Sequence, residues 1–300
     1  MKTKFLTLIS IILFGSLLFT SCNNDDDDKN NNVNVPGVVL SAFTKEYPNV
    51  KPDWSIKNTY YVAEFGNDDN EVDVWFTADG VVMLTVKEIP VSQLPAAIKT
   101  AISQNKNYSS WTIDDVKLIN RKDFDVLYKV EMDDPKSESD VTLYYNAAGV
   151  LVKEVPNIDN NPIIPAVVPQ KITDALNERF GENKYKIADF DKEVNNTYDV
   201  DIILNADPTK SIEVIFNNSY ALMHYQWETI FAKVTPNVQT AFKNLGYTEA
   251  QIDDIYYRQT PDATPRENVT TYIFEVESSP KDIIIVINEN GTVLSNSENK

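Results

Sequence analysis

The feature that most constrains this chain is a pattern of residues that recurs four times along it. Its clearest part is an alternating apolar strand that ends in a polar turn and resumes as a second apolar run. Self-similarity at a fixed period is the signature of a chain built from repeated structural units. The position just before the turn is occupied by Phe76, Tyr145, Phe216 and Ile287, which lie 69, 71 and 71 residues apart.

Glycine marks the turn in three of the four copies, at Gly80, Gly149 and Gly291. Glycine adopts positive φ without steric cost, and a short hairpin loop needs such a residue. The third copy has Tyr220 at this place, so we expect that turn to be distorted. Each copy therefore predicts a β-hairpin.

A further strand is predicted ahead of each hairpin. Its residues follow the pattern Tyr-x-apolar-acid and include the β-branched and aromatic types that favour strands. The pattern begins 15 to 18 residues before the hairpin position, at Tyr61, Tyr128, Tyr198 and Tyr272.

An amphipathic helix is predicted ahead of each of these strands, because apolar residues recur at i, i+3 and i+4. A proline precedes each apolar stripe, where its missing N–H costs no hydrogen bond. These prolines are Pro36, Pro95, Pro169 and Pro236. The stripes are Val39, Ala42 and Phe43; Ile98, Ala101 and Ile102; Ile172, Ala175 and Leu176; and Val238, Ala241 and Phe242.

The predicted order is a helix followed by three or four strands, stated four times. A unit of roughly 60–70 residues closes a poor core alone, so we expect the units to pair into two modules. A Pro- and Asn-rich segment without periodicity marks the boundary between the modules. We therefore predict modules at 36–156 and 165–297, joined by a linker at 157–164.

The N-terminus predicts export and lipid anchoring. A short basic region precedes an apolar stretch of 15 residues, and Cys22, which is the one cysteine of the chain, follows shortly after it. This order resembles a bacterial lipoprotein signal, in which the cysteine is lipidated, although Phe19 stands where leucine is usual. We expect a signal peptide at 1–21 and lipidation at Cys22, with ordinary secretion and a free thiol as the alternative.

Residues 22–35 are polar and include four consecutive aspartates, so they predict a disordered tether. An acidic run directly after a lipidated cysteine resembles the surface-export signal of Bacteroidota lipoproteins. The predicted location is therefore the outer membrane, with the protein lipid-anchored and exposed at the cell surface. The periplasmic face of that membrane is the alternative.

The formal net charge of −18 argues against nucleic acid as a partner, because phosphate binding needs a basic face. It also disfavours charge-driven binding to an anionic membrane, so the membrane contact we expect is the lipid anchor.

The first-turn proline, the amphipathic helix, the Tyr-x-x-acid strand and the glycine hairpin together resemble the beta-lactamase-inhibitor-like, PepSY-like family of secreted or lipid-anchored Bacteroidota proteins. The resemblance extends over nearly all of 36–297. It implies an α+β fold of two layers, in which helices cover one face of antiparallel sheets. It also implies a role that is not enzymatic, such as binding or inhibition, and it supplies no catalytic residues.

Strand alternation predicts which residues occupy the sheet face without helices. On that face we expect the aromatic residues Trp75 and Tyr144 together with the acids Asp73, Glu64 and Glu131. Aromatic groups mixed with polar ones are typical of protein-binding surfaces. We therefore predict a partner-binding face there, with a merely solvated face, or one covered by the paired units, as the alternative.

Side chains for catalysis or metal binding are scarce. His224 is the one histidine, so we interpret it as a satisfied or surface residue. The acidic segments 67–71 and 133–134 lack the spacing of a calcium loop and suit turns. Asp199 and Asp201 would face the same way on one strand, but nothing in the sequence sets their pKa values apart. We therefore predict neither metal, cofactor nor enzymatic activity.

The function predicted from the sequence is that of a non-catalytic cell-envelope lipoprotein that binds a protein or peptide partner through an open sheet face, as an inhibitor or as a simple binder. A small-ligand or calcium-binding envelope protein is the alternative.

Overall fold

The computed structural model describes residues 33–67, 70–137, 139–261, 268–279 and 281–298. The predicted signal peptide at 1–21, Cys22 and most of the predicted tether lie outside these residues. The described residues divide into two compact units at Val167 and Val168. We call residues 33–167 the first module and residues 168–298 the second module, and each is described by itself.

The first module contains two α-helices and eight strands among its described residues. A short 3₁₀ turn at Val91–Gln93 leads into its second helix. The elements are α1 (Gly37–Glu46), β1 (Asp53–Lys57), β2 (Tyr60–Phe65), β3 (Val72–Phe76), β4 (Val82–Glu88), α2 (Ala96–Gln104), β5 (Thr112–Arg121), β6 (Leu127–Asp133), β7 (Asp140–Asn146) and β8 (Leu151–Pro156).

The described part of the second module follows the same order, with two further 3₁₀ turns at Phe231–Lys233 and Glu249–Gln251. Its elements are α3 (Gln170–Phe180), β9 (Tyr185–Lys192), β10 (Tyr198–Leu204), β11 (Asp207–Phe216), β12 (Leu222–Glu228), α4 (Pro236–Asn244), β13 (Ile252–Pro261), β14 (Asn268–Val276), β15 (Ile283–Asn288) and β16 (Val293–Glu298).

Each module has one eight-stranded antiparallel sheet in which every strand pairs with its neighbours along the chain. The orders are β1 to β8 in the first module and β9 to β16 in the second. Meanders of this kind need only short connections. The predicted α+β class with antiparallel sheets is confirmed.

The apolar stripe of each helix packs on the strands that follow it. In the first module, Val39 and Phe43 of α1 join Val74 and Phe76 of β3 in one buried cluster. Ile98 and Ile102 of α2 join strands β6 and β7 in a second cluster. The second module repeats this arrangement, with Ile172 and Leu176 of α3 in one cluster and Val238 and Phe242 of α4 in another.

The hairpin turns after β3, β7 and β15 carry glycine for two reasons. Gly80, Gly149 and Gly291 have φ of 81°, 81° and 86°. A Cβ on Gly149 would also lie 2.7 Å from the carbonyl oxygen of Ala97 in α2, so the turn and the helix approach closely. The glycine therefore satisfies both a backbone angle and a helix contact.

The third turn is not distorted, so that expectation was wrong. Tyr220 adopts a φ of 66°, in the same left-handed region as the glycines. Its N–H donates to the carbonyl oxygen of Asn217 at 2.9 Å, as the N–H of Gly80 does to Thr77 at 2.9 Å. The side chain packs against the Tyr198 ring, with 5.0 Å between centroids. This contact offsets a backbone cost of about 1–2 kcal/mol.

Within the described part of the chain, no helix is long and apolar enough to cross a membrane.

Candidate binding face

The register of the first module places the five predicted contact residues on the sheet face opposite the residues that pack on α1 and α2. Glu64 on β2 is paired with Asp73 on β3, and Trp75 lies two residues further along β3. Tyr144 on β7 is opposite Lys129, two residues from Glu131 on β6. We call this side of the sheet the non-helical face. Strands β4 and β5 separate its two groups of predicted residues.

Trp75 belongs to the packed interior of this face. Its side chain is only 4% exposed, and its register partners Val62 and Leu84 are fully buried. The Nζ atom of Lys57 lies 5.6 Å from the centroid of the Trp75 ring. The indole Nε1 is buried without a hydrogen-bond partner. Trp75 thus lies on the predicted side of the sheet but is buried there.

Tyr144 is also buried, because the chain after β8 folds back over the non-helical face. This segment, residues 157–164, is the predicted linker, and we call it the strap. The Tyr144 hydroxyl donates to Oδ2 of Asp159 at 2.8 Å, and Lys129 Nζ donates to the Asp159 carbonyl oxygen at 2.6 Å. The face is thus not open at β6 and β7.

Most contacts to the strap reach its main chain. Thr142 Oγ1 donates to the carbonyl oxygen of Asn157 at 3.1 Å and accepts from the N–H of Asp159 at 2.8 Å. Arg121 Nε donates to the carbonyl oxygen of Ile164 at 3.2 Å. The strap therefore crosses from β7 toward β5 through hydrogen bonds that do not depend on its side chains.

Charged side chains on this face form ion pairs with neighbouring side chains of the sheet. Lys129 and Glu131 form an ion pair of 2.7 Å with side chains 6% and 13% exposed, and Lys57 pairs with Glu64. Burial raises the pKa of Asp73, an effect that the nearby Lys57 opposes. A hollow of about 140 Å³ beside the strap is lined by Glu71, Asp73, Val86, Glu88, Lys117 and Ile163.

The matching face of the second module carries a buried polar chain across four strands. Arg258 Nε donates to Oε1 of Gln226 at 2.8 Å, and Gln226 Nε2 donates to Glu213. Asp199 and Glu213 are close enough for the charge of Glu213 to act on Asp199, and burial raises the pKa of both carboxyl groups. Burial raises the pKa of Asp199 well above its usual range, with the charge of Asp201 as the next cause.

Sequence reasoning singled out Asp199 with Asp201, and the structure also brings Asp199 near Glu213 on the adjacent strand. Glu213, Gln226 and Arg258 were missed. Alternation along β11, β12 and β13 predicts that these three residues lie on the same side of the sheet as Asp201. Which strands are neighbours, and therefore which side chains meet, is given only by the strand register.

Glu275 is a second unusual carboxylate on this face. Its side chain is 6% exposed, and its Oε2 atom is buried without a hydrogen-bond partner. Burial, followed by the charge of Asp254 opposite it on β13, raises the pKa of Glu275 to about 8. The carboxyl group is therefore largely protonated at neutral pH.

His224 lies within β12, where burial lowers its pKa to about 4. Its imidazole is therefore neutral at pH 7. Among the described residues, no group of three or more His, Cys, Asp or Glu side chains could hold a metal ion. Asp134 accepts bonds from Lys136 N and Ser137 Oγ, as a turn residue does. The predicted 67–71 segment is described only in part.

Residues 59–153 match the model of a family described as "Putative beta-lactamase-inhibitor-like, PepSY-like". The resemblance predicted from the sequence is confirmed over these residues. No curated protein matches the chain.

Several solved structures are similar to part of the chain. A BLIP-like protein from Bacteroides fragilis NCTC 9343 is 28% identical, with 44% of this chain and 94% of that one covered at a TM-score of 0.38. A DUF2874 family protein from Bacteroides ovatus ATCC 8483 is 24% identical, with coverages of 40% and 86% and a TM-score of 0.36. A "putative periplasmic" protein from Bacteroides eggerthii DSM 20697 is 21% identical, with coverages of 41% and 88% and a TM-score of 0.37.

Proposed function

We propose that this protein is a non-catalytic binding protein of the bacterial cell envelope, which recognises a protein or peptide partner through the non-helical faces of its sheets. The match of residues 59–153 to a beta-lactamase-inhibitor-like family supports a binding or inhibitory role. The description of one similar structure as periplasmic supports an envelope location.

The observation that carries the proposal is the way the non-helical face of the first module holds the strap. Thr142, Lys129 and Arg121 donate to carbonyl oxygens of the strap, and Thr142 also accepts from the N–H of Asp159. Contacts to main-chain groups suit any extended polypeptide, while side-chain pockets add specificity. The face thus has the chemistry that a peptide-binding surface needs.

Site-specific photocrosslinking tests the proposal. A benzoylphenylalanine replaces Lys117, which lines the hollow beside the strap, and in a matched variant it replaces Lys99 on the exposed side of α2. We expect the Lys117 variant, expressed in the native envelope, to form a discrete adduct with a second protein or peptide. Identical adduct patterns from the two positions, or none from either, would remove the face as the binding surface.

The membrane anchor is a separate part of the proposal. We propose that Cys22 is lipidated and holds the protein at the outer membrane, facing the cell exterior. Cys22→Ala should release the mature protein from the membrane fraction, and external protease should digest the wild type in intact cells. A variant that stays in the membrane fraction would contradict lipidation, and protection from protease would place the protein on the periplasmic side.

A further inference from the structure

The two modules can be compared position by position on their non-helical faces. Asp199 is opposite Ile215 in the second module, where Val62 is opposite Trp75 in the first. Val62 is fully buried, so the scaffold accepts an apolar residue at this position. The carboxylate of Asp199 is therefore not required by the fold.

The charged groups with the largest effect on Asp199 are all acidic. The groups that act on it are Asp201, Glu213, Glu193 and Asp191, which come from its own strand, from β11, and from β9 and the turn that follows it. In the first module, Asp73 occupies the position of Glu213, and Lys57 and Lys117 act on it together with the acids Glu64 and Glu71. In the second, Arg258 reaches Glu213 through Gln226.

Two carboxylate oxygens on this face are left without partners. Oδ1 of Asp199 and Oε2 of Glu275 are buried and accept no hydrogen bond. A buried carboxylate lacking donors is destabilising, and it becomes favourable when a cationic donor reaches it. Asp199 and Glu213 both keep part of their surface exposed, so a side chain can approach the pair.

We propose that the non-helical face of the second module binds a basic segment of the partner, with a Lys or Arg side chain seated between Asp199 and Glu213. The proposal rests on the proposed function, because it names the chemistry of the partner. Glu275 offers a second anchor four strands away, which is roughly 19 Å at the usual strand spacing. An extended segment with basic residues about six positions apart spans that distance.

A lysine decapeptide is the probe, with a glutamate decapeptide as the charge control, and affinity for the full mature chain is measured by calorimetry. Asp199→Val, which installs the residue of the matching position, should weaken binding of the lysine peptide by about tenfold or more. Glu178→Gln, an exposed acid on α3 of the same module, is the matched control and should leave affinity within about twofold. Asp199→Asn tests the same loss if the valine variant fails to fold.

Proton release separates a seated cation from general attraction to an acidic protein. Burial raises the pKa of Asp199, and a cation seated beside it lowers that pKa and releases a proton to the buffer, so the binding heat should vary with the ionisation heat of the buffer. The other titratable and charged groups near Asp199 and Glu213, which could contribute to proton release, are Asp191, Glu193, Asp201, His224 and Arg258. This variation should disappear in Asp199→Val.

The inference is overturned if the wild type does not bind the lysine peptide, or if Asp199→Val and Glu178→Gln weaken binding equally. The crosslinking at Lys117 reports on the first module. A partner adduct there, together with a failed peptide test, would remove the basic-segment inference and leave the proposed function standing. Failure at Lys117 with success of the peptide would remove the first-module face as a binding surface and leave the second-module site standing.

Discussion

Tyr144 donates a 2.8 Å hydrogen bond to the carboxylate of Asp159 and so ties the strap to the sheet. The two residues are 15 positions apart in the sequence, with Tyr144 before β8 and Asp159 after it. The contact makes the segment between the modules a structural part of the first module. The strength of this attachment can be measured.

Asp159→Ala should lower the free energy of unfolding by about 1–3 kcal/mol, because the Tyr144 hydroxyl is left buried without its acceptor. Urea denaturation measures the change, and hydrogen exchange of the strap amides should accelerate. Asn160→Ala, at the next and exposed position, serves as the control. Equal effects from both variants would mean that the strap is not anchored through Asp159.

Trp75→Ala should cost about 3–5 kcal/mol, as expected when a large buried side chain is truncated. Ile56→Ala on the neighbouring strand β1 is the control, since Ile56 is 54% exposed and should change stability by less than about 0.5 kcal/mol. Thermal or urea unfolding gives both values. A Trp75→Ala protein of wild-type stability would show that Trp75 is a surface residue after all.

Gly149→Ala should be more destabilising than Gly246→Ala, although both glycines have positive φ, at 81° and 90°. A methyl group at Gly149 meets the Ala97 carbonyl oxygen at 2.7 Å, whereas Gly246 has no atom within 4 Å of that position. The backbone strain of about 1–2 kcal/mol is common to both variants. The difference in unfolding free energy therefore isolates the approach of turn to helix, and no difference would contradict it.

Glu275 should make the protein less stable as pH rises. The pKa of Glu275 is about 8 in the folded state, above the ordinary value of 4.5. Between pH 4.5 and pH 8 the folded state therefore keeps a proton that the unfolded state has already released. The resulting loss of stability, on the order of a few kcal/mol, accumulates from about pH 4.5 to about pH 8 and then levels off. Glu275→Gln should remove this slope and be more stable than the wild type at pH 8.

Unfolding in urea at several pH values measures the slope of stability against pH. Glu298→Gln, an exposed acid on β16, is the control and should leave the wild-type slope unchanged. A wild-type slope that persists in Glu275→Gln would assign the titration to another group.

The fold was predictable where the physical signal is local. The stripe of Val238 and Phe242 and the alternation of Val72, Val74 and Phe76 follow from helix and strand geometry, and the structure buries these residues. The error at Tyr220 is instructive, since its conformation depends on a contact with Tyr198 that no turn rule contains.

The candidate site was predictable only in part. Alternation correctly placed Trp75 and Tyr144 on the side of the sheet away from the helix clusters, yet both are buried. Whether that side is solvated depends on what lies across it. Residues 157–164 are polar and show no periodicity, which predicted a linker. A polar segment of this kind can also pack on a sheet face whose side chains donate hydrogen bonds to its main chain.

The sequence by itself determined the repeating helix-and-strand pattern, the positions that face each helix, and the family resemblance, because these depend on spacings of two to four residues and on a repeated motif. The tertiary structure decided that Asp159 closes over Tyr144 and that burial beside other acids raises the pKa of Asp199. Such contacts depend on strand register and on the return of distant chain. Burial and pKa then follow from the neighbours that this register supplies.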